Sequence, residues 1–173
     1  MGLETEVLFS AQLSRIAGQK VASISGSKIT GSVIYIDLII NNKQSVQLQG
    51  EKTLHANGEA LVSEDLCICI HCSWKLLNPK GRVIAGSCHP YSHAKEMFAE
   101  VRQRSGDQVA SVLRFPERSW DLRIDFVSGY RLDVICDIGH PDVDDYMLLG
   151  GFGRLSVRQG CKVIFGPLGG STR

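Results

Sequence analysis

A chain of 173 residues with 43% hydrophobic and 21% charged positions is long enough for one domain and too apolar for bulk disorder. Its 19 basic residues against 18 acidic ones leave a formal charge of +1, which gives neither the clustered Lys and Arg that nucleic acid requires nor a polybasic membrane anchor. No apolar run approaches the roughly 20 residues that span a bilayer, and MGLETEVLFSAQL carries glutamates where a secretory signal is basic, so a cytoplasmic protein is expected.

The first element is an amphipathic helix in LFSAQLSRIAG, where Leu8, Phe9, Leu13 and Ile16 fall near helical spacing. Gly18 sits where a helix C-terminal cap wants a residue tolerant of positive φ. The phrase that follows, GQKVAS at 18–23, returns as GDQVAS at 106–111. A constant offset of 88 positions, as from Gly18 to Gly106, also carries Ile36-Asp37-Leu38 onto Ile124-Asp125-Phe126. Such self-similarity predicts one unit written twice. The glycine stops a helix and the Val-Ala-Ser starts a strand.

Val33 to Ile40 is apolar at nearly every position, which predicts a strand covered on both faces. Gly50 to Ser63 reads as an irregular loop, and further strands are expected in Asp65 to Leu77 and Arg82 to Ala85 around an Asn78-Pro79-Lys80-Gly81 turn. The second helix lies in AKEMFAEVRQRSG, with Met97, Phe98 and Val101 on one face. Leu122, Ile124 and Phe126 alternate with charges as in a half-buried strand, Ser128-Gly129 makes a hairpin turn, and Leu132 and Val134 return inward. Gly139 to Asp145 reads as a loop, with final strands in Gly153 to Val157 and Lys162 to Phe165. The expected fold is α+β and strand-rich, with helix-plus-antiparallel-sheet repeats at 1–88 and 89–173 related by an approximate twofold. The halves should share one core, because about 85 residues bury too little surface alone.

Three constellations could carry chemistry. In CICIHC and SCHPYSH, Cys67, Cys69, His71, Cys72, Cys88, His89 and His93 bring zinc-type ligands together, but no CxxC occurs, and residues two apart on a strand stand about 7 Å apart. Buried thiols are the expectation here, with no metal and no cofactor. In DIGHPDVDDY, Asp137, His140, Asp142, Asp144 and Asp145 form a solvated acidic loop without the glycine and glutamate of a calcium loop. GGFGRLS is followed by a strand pattern, which argues against nucleotide binding. Trp120, within RFPERSWDLR, has the aromatic and Arg character of a binding hot spot.

SWKLLNPKGRVIAGS, then a helix, then VASVLRFPERSWDLRIDFVSGYRLDV resembles a pattern in small uncharacterised bacterial β-rich proteins associated with toxin-immunity neighbourhoods. The shared features are a Trp-containing strand, a hairpin ending in Gly-Ser and the hairpin Asp121 to Gly129, over residues 73–134. The resemblance implies a protein-binding role and no catalytic residue.

The functional expectation is a non-enzymatic protein-binding module, immunity-like, that occludes a partner through a sheet face or loops. Trp120, Arg118, Asp142, Asp144 and Asp145 are the candidate contacts. The alternative is an enzyme or small-molecule binder with a pocket between the repeats, using His71, His89 and His140. A third reading is a homodimer paired through Val33 to Ile40.

Overall fold

A computed structural model of the chain describes residues 3–26, 33–40, 53–54, 60–61, 65–88, 93–114, 120–136, 144–158 and 162–167. The architecture is α+β, with two helices and two larger antiparallel sheets among the described residues. Helix α1 (Leu3–Ile16) leads into strands β1 (Lys20–Gly26) and β2 (Ile34–Ile39). A short β3 (Thr53–Leu54) and β4 (Ala60–Leu61) pair with each other within the stretch expected to be irregular. Then come β5 (Asp65–Ile70), β6 (Ser73–Leu77) and β7 (Val83–Gly86). Helix α2 (Ala94–Arg102) opens the second half, followed by β8 (Val109–Arg114), β9 (Leu122–Phe126) and β10 (Arg131–Ile135). The last described strands are β11 (Asp144–Gly150), β12 (Gly153–Arg158) and β13 (Lys162–Gly166). No helix among the described residues is long and apolar enough to cross a membrane.

The strand orders show how the halves are joined. One sheet runs β1-β2-β5-β11-β12-β13 and the other β7-β6-β10-β9-β8. Each half therefore builds three strands of one sheet and sends its later strands into the other. The crossing occurs between Ile70 and Ser73 in the first half, and between Ile135 and Asp144 in the second. Side chains from both helices and both sheets meet in one buried cluster that includes Phe9, Ile36, Ile68, Trp74, Phe98, Leu132 and Tyr146.

The repeated phrase has a local counterpart in the hydrogen bonding. Gly18 and Gly106 both adopt positive φ, +83° and +88°, where a side chain would be strained. The Gly18 N–H donates to the Val109 carbonyl and the Gly106 N–H to the Val21 carbonyl, each at 2.8 Å. Both following strands carry an irregularity at the same place, between Val21 and Ser23 and between Val109 and Ser111. The bulge turns each serine toward an aspartate on the next strand: Ser23 donates to Asp37 at 2.5 Å, and Ser111 to Asp125 at 2.8 Å.

Three local expectations need correction. Leu8 is exposed, so the buried face of α1 is Phe9, Leu13 and Ile16. On β2 the buried residues are Ile34, Ile36 and Leu38, while Tyr35 and Asp37 are only half-buried and Ile39 is exposed. The strand covered on both faces is its neighbour β5, buried from Leu66 to Ile70, because it lies inside the six-stranded sheet and presents small Cys67 and Cys69 on its second face. Asp144 and Asp145 do not end a loop but begin β11, of which Tyr146 to Leu149 pair on both sides.

The outward faces of the two sheets differ in chemistry. On the five-stranded sheet, Arg123 pairs with Asp133 at 3.1 Å and Arg131 with Asp125 at 3.9 Å, a half-exposed ladder of alternating charge. At the same rows of the six-stranded sheet, Tyr35 faces Cys69 and then Met147, and Asp37 faces Cys67 and then Leu149.

Candidate functional site

Of the expected contact residues, Arg118 and Asp142 lie outside the described residues, as do His89 and His140 of the alternative pocket. Trp120 is a core residue, 3% exposed, which corrects its reading as a surface hot spot. Phe9 meets its ring edge-on at 4.6 Å, and the Arg114 guanidinium lies 4.8 Å from the ring centre. Its carbonyl accepts the Tyr146 hydroxyl at 2.9 Å. The polar neighbours that suggested a surface position flank a large apolar body that helix α1 covers.

Asp144 is held by Arg158, whose Nη2 lies 2.9 Å from Oδ1. Asp145, one residue along, is buried at 5% exposure. His71 is half-buried, and its backbone N–H donates to the Asp145 carbonyl at 2.8 Å. Burial lowers the His71 imidazole below its ordinary range, partly opposed by the Asp144 carboxylate. Of the described contacts, Trp120 and Asp145 are buried and Asp144 is salt-bridged, so these three do not form one exposed patch.

The structure assembles a different group at the crossing point of the strands. The β6–β10 ladder ends with Ile135 opposite Ser73, so the next residue on each strand, Cys136 and Cys72, stand facing each other. Asp145 reaches them from β11, where the pairing with β12 is irregular between Asp144 and Tyr146 and the side chain is re-aimed. One donor atom from each of Cys72, Cys136 and Asp145 lies within 4.8 Å of the other two. The Asp145 carbonyl accepts both the His71 and the Cys72 N–H, at 2.8 and 3.0 Å, and Asp121 Oδ1 accepts the Cys136 N–H at 2.9 Å. The hydrogen bond between Cys136 and Cys72 pushes the Cys136 thiol far above its ordinary value, with burial and the charges of Asp145 and Asp121 acting the same way. Burial, with the same thiols and carboxylates, likewise raises Tyr146.

Sequence reasoning missed this group because its members are scattered along the chain; only the strand register brings them together. A second thiol pair corrects an expectation about spacing. The Cys67 and Cys69 sulfurs are 3.7 Å apart, since two side chains on one strand face can lean together although their backbones stand further apart.

The described residues also form open grooves. One, of about 470 Å³, is lined by Asn78, Arg82, Ile84, Glu100 and Tyr130. Another, of about 310 Å³, runs between α1 and β8, with Phe9 and Leu13 on one wall and Val112 and Leu113 on the other. Glu6 and Arg114, 3.4 Å apart, are also part of its lining. Among the described residues β8 is the last strand of its sheet, and Leu113 is 53% exposed.

No family model matches the sequence, and neither a curated protein nor a solved structure shows significant similarity to it.

Proposed function

We propose that the protein is a non-enzymatic protein-binding module that takes an extended segment of its partner along β8, beside helix α1. The observation that carries this reading is the edge strand itself. Past the bridge between Lys20 and Gln108, β8 has a paired strand on one side and the open groove with α1 on the other. An edge strand offers backbone donors and acceptors to an added strand, and side-chain pockets give the choice of sequence. Here the lining mixes the apolar Phe9, Leu13, Val112 and Leu113 with the hydroxyls of Ser10 and Ser14 and one charge of each sign. The occupant best suited is therefore an extended segment with apolar residues at alternate positions. An immunity-like role, in which that segment belongs to a protein held inactive, is the form of this reading that the resemblance over 73–134 favours.

The reading is tested by selecting peptides from a displayed random library against the full chain and mapping them by amide exchange. Enriched peptides should have alternating apolar residues, protect the amides of Ala110 to Arg114, and lose binding to Leu113→Asp. Peptides that protect amides elsewhere, or a library that yields no binder, would reject it.

A further inference from the structure

We infer that Cys72, Cys136 and Asp145 form a zinc site that fastens the two halves of the chain where their strands change sheets. The inference does not depend on the protein-binding reading. Cys72 comes from the first half, Cys136 and Asp145 from the second, and their three donor atoms lie within 4.8 Å of one another. Donors bound to one tetrahedral zinc, with Zn–S near 2.3 Å and Zn–O near 2.1 Å, stand about 3.5–3.8 Å apart. Side-chain rotation of about an ångström closes that difference without moving a strand.

The backbone supports the group from three directions. The ladder that ends at Ser73 and Ile135 fixes the two cysteines opposite each other, and the Asp145 carbonyl is tied to the His71 and Cys72 N–H groups. Asp121, through its bond to the Cys136 N–H, acts as a positioning residue. Buried Cys72 and partly buried Cys136 have beside them the Asp145 carboxylate at 5% exposure, which gives the group two sulfur donors and one oxygen donor largely withdrawn from water. Two sulfur ligands select a borderline-soft ion such as zinc over calcium or magnesium, which take oxygen. Cys136 is only partly buried, so an ion can arrive from solvent and a water can fill the fourth position.

The test uses the full chain, reduced and stripped with EDTA, then titrated with Zn²⁺ against a chromophoric chelator. The expected result is one tightly bound zinc per chain, and Co²⁺ in its place should show the charge-transfer absorption of cobalt–thiolate bonds. Cys136→Ser and Asp145→Asn should each weaken zinc binding about tenfold or more, while Cys69→Ser, which alters the other thiol pair, should leave it unchanged. Absence of stoichiometric zinc binding by the reduced wild-type chain overturns the proposal, whatever the variants do. So does wild-type affinity in Cys136→Ser, or a Cys72–Cys136 disulfide in protein purified anaerobically.

Discussion

The Val109 N–H donates to the Gln19 carbonyl at 2.9 Å, although the two residues belong to different halves of the chain. The relationship is reciprocal in position: the Val21 N–H donates to the carbonyl of Asp107 at 2.8 Å. These bonds tie the beginning of β1 to the beginning of β8, at the edges of the two sheets, and strand exchange joins the sheets again at the other side of the halves. Both candidate sites are composite as a result. The groove has one wall from α1 and one from β8, and the thiol–carboxylate group draws on β11, the residue after β10 and the residue before β6.

The two serine–aspartate bonds should contribute alike, because each follows the same irregularity in its strand. Ser23→Ala and Ser111→Ala are each expected to cost about 1 kcal/mol, since a part-buried hydroxyl donating to a carboxylate is lost. Urea unfolding of the two variants should give midpoints that fall together. A difference of more than about 1 kcal/mol between them would show that the bonds are not comparable.

Trp120 and Leu113 should separate stability from binding. Trp120→Ala removes a buried indole that contacts Phe9 and Arg114, and is expected to cost about 3–5 kcal/mol. Leu113→Asp changes a half-exposed side chain on the groove and should shift stability by about 0.5 kcal/mol or less. Thermal unfolding decides both. A stable Trp120→Ala chain would return the indole to the surface.

Tyr35 should contribute to a loss of stability in alkali. Burial raises its phenol above the ordinary value, and Cys69 and then Cys67 add to the effect. The folded state therefore prefers the protonated phenol, and its contribution is complete below the unfolded value of about 10. It is lost as pH climbs through the raised value. Tyr35→Phe should flatten the decline in urea midpoint at alkaline pH and leave the neutral value nearly unchanged; parallel profiles would deny the phenol this role.

Much of the fold was legible because it rests on local periodicity. Met97, Phe98 and Val101 at helical spacing, and Leu122, Ile124 and Phe126 at alternate positions, are buried as their spacing requires. The glycines at 18 and 106 are in the left-handed conformation that their place after a helix predicts. What was not legible depends on partners far along the chain. Asp144 and Asp145 look like loop residues until Arg158 and the cysteines are placed beside them. Trp120 looks exposed until α1 folds over it, and β5 looks no more buried than β2 until β11 takes its other edge. Sheet order is the missing term in each case, and no short stretch of sequence contains it.

The most direct measurement follows the unfolding of each sheet separately. In a urea titration read by residue-resolved NMR, Ile68 reports the centre of the six-stranded sheet and Leu132 the centre of the five-stranded one. Interlocked halves around one core require that both residues lose their native signals at the same urea concentration. Two distinct midpoints, with one sheet surviving the loss of the other, would contradict the exchange of strands on which both sites depend.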